Sequence, residues 1–215
     1  MLIGCPAFEP HAIASRIFET HWEDCGVQIT SLAIPEVKLI QPKKFGDHRG
    51  FFSEVYKKGE LAEAGIDLDF VQDNHSHSQA VGVLRGLHFQ TPPDAQDKLL
   101  RVVRGRIFDV AVDIRAGSPT YGKWVGAEIS ADNWTQILVP VGFAHGFVTL
   151  EPDTEVIYKV TGRYAPESDR GLAWDDPAIG IDWPLAGVQP TLSDKDTKHP
   201  LLADLPAYFT YDGTR

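Results

Sequence analysis

The chain has 215 residues, a formal net charge of −10, and a composition that is 43% hydrophobic and 23% charged. These values indicate a folded globular chain with a substantial core, and they exclude a disulfide-stapled miniprotein and a disordered chain. The negative charge repels polyanions and no run of 18 apolar residues occurs, so we expect neither a nucleic-acid partner nor a membrane association.

Residues 1–30 lack the alternation of strands and turns that the later sequence has, and we predict an N-terminal extension of unknown role. Within it, His11 to Glu19 has a weakly helical pattern. Both cysteines, Cys5 and Cys25, lie in this segment, so no disulfide or thiolate framework is expected in the remaining chain. This cysteine usage is typical of a reducing compartment, and we expect a cytoplasmic location.

From Ser31 onward, short apolar runs alternate with turn residues, which predicts many short strands and one short helix over Gly59–Ala64. The predicted strands are Glu36–Ile40, Gly50–Tyr56, Leu99–Val103, Ile107–Ile114, Trp124–Ile129, Thr135–Val139, Ala144–Leu150 and Glu155–Thr161. Regular short strands of this kind predict an all-β sandwich or barrel of the jelly-roll type. We expect residues 31–215 to form one domain, with the Pro- and Asp-rich segment from residue 184 wrapping the barrel.

The predicted strand Ile107–Ile114 has an unusual face. Asp109 and Asp113 alternate on it with Ile107 and Ala111, because side chains two residues apart share one face of a strand. Two acids on this face indicate either a concave polar interior or a solvated edge, and the spacing favours neither.

Two histidines lie in glycine-containing, strand-rich surroundings. His88 follows Arg85 by three residues around Gly86, and a cation beside a histidine suits a general base that meets an anionic substrate. From local sequence alone, a surface histidine near a turn is the alternative. His145 ends the run Pro-Val-Gly-Phe-Ala-His, a turn that delivers a histidine to the mouth of a barrel and resembles the second signature of the cupins.

Seven stretches, in one order along the chain, carry a more specific resemblance. They are Phe45–Phe52, Phe70–Asn74, Val83–Gln90, Lys98–Val102, Asp109–Arg115, Pro140–Gly146 and Leu192–Asp196. Together they resemble the dTDP-4-dehydrorhamnose 3,5-epimerases over residue 31 to about residue 202. The resemblance implies a cupin-type jelly roll (double-stranded β-helix) with a few short helices, acting as a homodimer without a cofactor or a metal.

The reaction that this resemblance implies converts dTDP-4-dehydro-6-deoxy-D-glucose to dTDP-4-dehydro-L-rhamnose by inversion at carbons 3 and 5. Both carbons flank a keto group, so their protons can be removed only if the resulting enolate is stabilised. The chemistry therefore needs a base on one face of the sugar, a cation at the keto oxygen and an acid on the opposite face.

The resemblance also implies a role for particular residues. His88 matches the base, Asp196 the carboxylate that orients it, Lys98 the cation at the keto oxygen and Tyr158 the acid. Without the resemblance, a strand-entry lysine in water is the favoured interpretation of Lys98, and Tyr158 is equally a core aromatic residue. The residues that match substrate-binding positions are Arg49, Glu54, Gln72, Asn74, Arg85, His145, Tyr164, Asp169 and Lys195.

Three alternatives stay open. One is an epimerase that inverts carbon 3 or carbon 5 alone, on a related dTDP-4-keto-6-deoxy sugar. Another is a metal-dependent cupin. Metal cupins have His-x-His where this chain has His-Phe-Gln from His88, so the nearby pair His75 and His77 would have to supply that motif. The third is a cupin that binds a sugar nucleotide without catalysis, which the presence of both a base and an acid disfavours.

Overall fold

A computed structural model of the chain describes residues 27–213. The one α-helix in this range, α1, spans Lys58–Glu63, which confirms the predicted short helix with its start one residue earlier. The strands are β1 Val27–Ser31, β2 Lys38–Pro42, β3 Phe45–Asp47, β4 Gly50–Phe52, β5 Gln72–Ser78, β6 Leu84–Gln90, β7 Lys98–Arg104, β8 Arg106–Asp113, β9 Arg115–Ala116, β10 Trp124–Ser130, β11 Gln136–Val139, β12 Phe143–Thr149, β13 Thr154–Val160, β14 Asp169–Gly171 and β15 Phe209–Thr210. Within residues 27–213, no helix has the length and apolar character that crossing a bilayer requires.

Two antiparallel sheets face each other. The first has six strands in the order β1-β2-β11-β7-β13-β5, and the second has five in the order β10-β8-β12-β6-β14. Apolar side chains from both sheets, such as Leu100 and Val156 from the first and Ile107 and Phe147 from the second, form one buried cluster between them. The predicted all-β jelly roll of the cupin type is confirmed.

The acidic face of β8 points into the space between the sheets. Ile107 and Ala111 pack in the cluster there, and the side chains of Asp109 and Asp113 are fully buried on the same face. Of the two interpretations of this strand, the concave polar interior is therefore the correct one.

The C-terminal segment wraps the outer face of the second sheet. The Leu84 N–H donates to the Thr191 carbonyl at 3.0 Å, and Leu202 and Tyr208 pack against the apolar cluster of that face. β15 then pairs in parallel with β9. Up to residue 213, the segment thus covers the outer face of the second sheet.

Several boundaries differ from the prediction. The strand predicted over Gly50–Tyr56 ends at Phe52, because the Val55 carbonyl accepts from the Gln136 side chain at 2.6 Å instead of from a neighbouring strand. The polar strand β5 was not predicted, and β1 was not either. The boundary predicted at residue 31 falls at the end of β1, which pairs with β2. The remaining predictions for residues 1–26 lie outside the described residues.

Candidate active site

A cavity of about 460 Å³ opens between the two sheets near their edges, beneath the C-terminal segment. Side chains from both sheets line it, and their polar groups converge on one space. The lining residues are Ser76, Val83, Leu84, Arg85, His88, Lys98, Leu100, His145, Phe147, Tyr158, Thr191, Leu192, Ser193 and Asp196. All four residues that match catalytic positions are among them.

His88 and Asp196 meet although 108 positions separate them in the sequence. His88 Nε2 lies 2.5 Å from Asp196 Oδ1, and the carboxylate side chain is 3% exposed. Burial alone would raise the pKa of Asp196, but the hydrogen bond and the charge of His88, together with the Ser193 hydroxyl, hold that pKa below its usual value. The carboxylate therefore stays ionised at neutral pH and orients the imidazole through Nε2, which leaves Nδ1 to accept a proton.

A second histidine lies beside the first. His145 on β12 is directly opposite His88 on β6 in the sheet register. Its Nε2 lies 2.9 Å from both carboxylate oxygens of Asp109, whose side chain is fully buried. Asp109 thus fixes the ring of His145 on the cavity wall.

Lys98 begins β7 in the first sheet and is partly buried. Its Nζ donates to the His88 carbonyl oxygen at 3.1 Å, so the ammonium group is tied to the strand that carries the candidate base. Burial lowers the pKa of Lys98 to about 8, against the opposing charges of Asp109 and Asp169. The residue is therefore not a strand-entry lysine in water.

Tyr158 on β13 also reaches the cavity from the first sheet. It lies opposite Asn74 on β5 and Leu100 on β7. Burial raises the pKa of its hydroxyl, the charge of Arg85 partly opposes this, and Asp169 adds to it. The phenol is thus protonated at neutral pH and able to donate.

Arg85 and His145 are the matched substrate-binding residues that line the cavity. The Arg85 guanidinium donates to the Ser78 hydroxyl at 3.2 Å and to the His77 carbonyl at 3.0 Å, which holds it at the cavity rim. The guanidinium thus places a positive charge at the cavity, a group that can pair with an anionic ligand.

Five other matched binding residues form a polar group next to the cavity, without lining it. They are Gln72, Asn74, Tyr164, Asp169 and Lys195. The Tyr164 hydroxyl donates to Asp169 Oδ2 at 3.1 Å, and Lys195 forms an ion pair with the same oxygen. The Gln72 amide donates to Asn74 at 2.8 Å. The Tyr164 side chain is largely exposed, which leaves its ring face free to stack on a base.

The chain does not bring Arg49 and Glu54 to its own cavity. Arg49 lies in the turn of the β3–β4 hairpin with 78% of its side chain exposed, and its guanidinium pairs with Asp47. Glu54 follows the hairpin and pairs with Lys57 at 3.1 Å.

Comparison with known proteins decides the family. Residues 31–204 match the profile described as dTDP-4-dehydrorhamnose 3,5-epimerase. A protein of that name from Sinorhizobium fredii is 58% identical over 181 residues, which are 84% of this chain and 92% of the relative. The chain belongs to the dTDP-4-dehydrorhamnose 3,5-epimerase family. The predicted family and the predicted isomerase class are thereby confirmed.

Solved structures of similar chains include members of this epimerase family and a mono-epimerase. The 3,5-epimerase of Legionella pneumophila, in complex with dTDP-4-keto-L-rhamnose, superposes with a TM-score of 0.83 at 47% identity and covers 86% of this chain and 99% of its own. A 3'-monoepimerase of Streptomyces bikiniensis, in complex with dTDP-quinovose, has a TM-score of 0.79 at 34% identity, over 84% of this chain and 92% of its own. The identity is thus higher to the two-site enzyme.

Two residues that were not predicted lie next to the matched ones, Asp109 beside His145 and His199 beside Asp196. Asp109, which fixes His145, had a signal in the acidic face of β8. His199 had none, and it lies against Asp196 with its ring centroid 5.5 Å from that of His88. Among the described residues, His88, Asp196 and His199 also form the one group of three His, Cys, Asp or Glu side chains whose ligand atoms lie within 4.8 Å of one another. His75 and His77, which the metal-cupin alternative needed, point outward from β5.

Proposed function

We propose that this epimerase inverts carbons 3 and 5 of dTDP-4-dehydro-6-deoxy-D-glucose, with His88 as base, Lys98 at the keto oxygen and Tyr158 as acid. One observation carries the proposal. Three groups converge on a single cavity that is large enough for a sugar. They are a base that a buried carboxylate holds, a desolvated lysine, and a protonated phenol. Binding alone would need neither the base nor the acid.

His88 takes the proton from the carbon next to the keto group. Its Nδ1 accepts this proton while Nε2 stays bonded to Asp196, so the carboxylate stabilises the imidazolium that forms. The partial exposure of the ring, 32%, leaves it accessible from the cavity. The proton taken from the substrate then resides on Nδ1.

Lys98 stabilises the enolate oxygen. Because its ammonium group is desolvated and held by the His88 carbonyl, it is already in position when negative charge develops on the keto oxygen. The compact charge of an ammonium group suits a single oxygen atom.

Tyr158 returns a proton from the other side. His88 belongs to β6 in the second sheet and Tyr158 to β13 in the first, so the two side chains reach the cavity from opposing walls. A sugar between these walls presents one face to each, which is what inversion requires. The phenol keeps its proton at neutral pH, since burial raises its pKa.

The direct test is the product of the purified chain with dTDP-4-dehydro-6-deoxy-D-glucose, followed by proton NMR. We expect inversion at both carbons, seen as the change in ring coupling constants. A product inverted at carbon 3 alone, or at carbon 5 alone, would instead select the single-site alternative. An unchanged substrate in the presence of folded protein would contradict the enzyme and leave a binding protein.

Replacing Tyr158 by phenylalanine separates the two half-reactions. We expect His88 still to exchange the substrate proton with solvent, while the inverted product forms at least ~10²-fold more slowly, since the general acid is lost. Proton NMR in D₂O measures exchange and inversion in one sample. Parallel loss of both would contradict the assignment of Tyr158 as the acid.

The pKa of Lys98 predicts an alkaline limit. The lysine stabilises the enolate only when charged, so kcat/KM should fall about tenfold per pH unit above pH 8 as the proton is lost. In Lys98→Arg this fall should disappear, whatever the absolute value of kcat/KM for the variant, because a guanidinium stays protonated. A wild-type profile that is flat to pH 9, or an unchanged fall in Lys98→Arg, would contradict the role.

We further propose that the active form is a homodimer in which the β3–β4 hairpin of each copy completes the other copy's cavity. Phe45, Phe51 and Phe52 expose 50%, 55% and 65% of their surface on this hairpin, and such a patch favours a protein contact. Arg49 and Glu54 match substrate-binding positions but lie away from their own cavity. A second copy reconciles these observations, and it adds a cation for the diphosphate.

Mixing two inactive variants tests this arrangement. His88→Gln and Arg49→Ala are each expected to be impaired, but co-refolded mixtures should recover about a quarter of wild-type activity, because half the dimers contain one intact site. Light scattering would give the dimer mass directly. If each hairpin serves its own cavity, no mixed dimer has an intact site and no activity returns.

A cytoplasmic location is proposed for the enzyme. The sequence has no cysteine after Cys25, so no disulfide supports residues 27–213. A chain that is stable without disulfides suits a reducing compartment. Cell fractionation against a cytoplasmic and a periplasmic marker would test the location.

A further inference from the structure

His199 is tightly packed beside the candidate base, and the proposed reaction does not use its side chain. It follows the 3-10 turn at Asp196–Lys198, and its side chain is 8% exposed. A methyl group at Gly171 would lie 2.3 Å from two atoms of its ring, so the absence of a side chain there makes room for the imidazole. Because Gly171 pairs with His88 between β14 and β6, the ring of His199 is held beside the candidate base.

The Nε2 atom of His199 is buried without a hydrogen-bond partner. It lies 3.4 Å from Asp196 Oδ1 without the alignment of a hydrogen bond, and that oxygen is already bonded to His88. A buried polar atom without a partner is unfavourable and uncommon in folded proteins. The atom is thus a potential metal ligand that lies beside the histidine–carboxylate pair and makes no hydrogen bond of its own.

We propose that His88, Asp196 and His199 form an inhibitory Zn²⁺ site. Two imidazole nitrogens and one carboxylate oxygen are a ligand set that Zn²⁺ takes in proteins, with a fourth position left for water. The three ligand atoms already lie within 4.8 Å of one another. They come from β6 and from one short turn, so the site is preformed except for the hydrogen bond between His88 and Asp196.

The geometry needs one local change. Ligands at about 2.0–2.1 Å from a tetrahedral zinc ion are roughly 3.3 Å apart. The distance of 3.4 Å between His199 Nε2 and Asp196 Oδ1 meets this value, whereas the 2.5 Å between His88 Nε2 and the same oxygen must lengthen. Rotation of the partly exposed His88 ring into the cavity supplies that lengthening.

Zinc at this position would stop proton abstraction. The metal takes the lone pair of His88 Nε2, so the ring changes tautomer: Nε2 gives up the hydrogen that it donated to Asp196, Nδ1 takes one up from solvent, and the neutral ring releases no net proton. Nδ1 then has no lone pair for the substrate proton. This consequence rests on the proposed role of His88 as base, whereas metal binding itself does not.

The binding test uses the full chain with Cys5→Ser and Cys25→Ser, so that thiolates do not contribute, after removal of metal with a chelator. Titration with Co²⁺ should give the visible absorption of a tetrahedral site at one ion per chain, and Zn²⁺ should displace it. His199→Gln should weaken Zn²⁺ binding at least ~10-fold, as removal of a ligand does. Circular dichroism would establish that this variant is folded.

Two surface histidines provide the matched control. His75 pairs with Glu155 and His77 with Asp153, both on the outside of β5, where Zn²⁺ would bind adventitiously. We expect His75→Gln and His77→Gln to leave the Co²⁺ spectrum and the Zn²⁺ affinity unchanged. Loss of binding in these variants, with retention in His199→Gln, would overturn the proposed site.

Turnover gives the second readout. Zn²⁺ should inhibit the wild-type enzyme reversibly, a chelator should restore its rate, and His199→Gln should turn over at nearly the wild-type rate while resisting Zn²⁺. Binding at the three residues without inhibition would refute the inhibitory role. If the metal-free chain shows no epimerase activity, the proposed function fails, and the Co²⁺ titration still decides whether the site exists.

Discussion

Replacing His88 by glutamine is expected to lower kcat/KM for dTDP-4-dehydro-6-deoxy-D-glucose by about 10²–10⁴-fold, the range for loss of a general base. The amide can still donate to Asp196, so the buried carboxylate keeps a partner and the fold should survive. A glutamine side chain has no basic nitrogen, so proton removal is what the substitution eliminates. Steady-state kinetics by NMR, with a thermal melt of each variant, would measure both effects.

The control for this variant is His75→Gln. His75 is an exposed histidine on β5 that pairs with Glu155 at 3.0 Å and points away from the cavity. Its replacement should leave kcat/KM within a few-fold of wild type. A His88→Gln enzyme that retained comparable activity would show that another group removes the proton.

Replacing Lys98 by methionine should reduce kcat by about 10²–10³-fold, as removal of one donor from an oxyanion site does. Methionine has a similar length and suits the partly buried position, so the loss of charge is the main change. Since the ammonium group acts on an oxygen that becomes charged only in the enolate, the effect should be larger on kcat than on KM.

Lys123 is the matched control for the lysine. It lies exposed before β10 and does not line the cavity. Lys123→Met should keep wild-type kinetics, which would exclude a general effect of net charge. An effect of Lys98→Met confined to KM would instead assign the lysine to substrate binding.

Strand patterning predicted much of the fold, and its failures have physical causes. Alternation marked β8, where Phe108, Val110 and Val112 share one face, whereas β12 is buried along its whole length and was marked by its apolar residues. Such alternation was absent in β5, whose sequence Gln-Asp-Asn-His-Ser-His-Ser alternates between the cavity and the solvent rather than between apolar and polar groups. A strand that lines a polar cavity therefore carries no hydrophobic pattern in its sequence, although its side chains lie next to the candidate site.

The residues of the candidate site could be predicted only where they lie in a sequence motif of the family. His88, Lys98, Tyr158 and Asp196 were matched to family positions, and the fold brings all four to one cavity. Contact between His88 and Asp196 could not follow from spacing, because 108 residues separate them and only the wrapped C-terminal segment joins them.

Two other features depend on tertiary structure alone. His199 stands out only once Gly171 is seen to leave room for its ring, and a contact between distant segments has no local sequence pattern. Arg49 matches a binding position, but it lies on the exposed hairpin away from its own cavity, a distance that no local sequence pattern reveals.

In the proposed mechanism, one base, His88, acts at both carbons next to the keto group. Solvent deuterium incorporation tests this assignment, with dTDP-4-dehydro-6-deoxy-D-glucose in D₂O and wild-type and His88→Gln enzymes compared by NMR. We predict incorporation at carbons 3 and 5 with the wild type and at neither carbon with the variant. Incorporation at either carbon that persists at the wild-type rate in His88→Gln would contradict the claim.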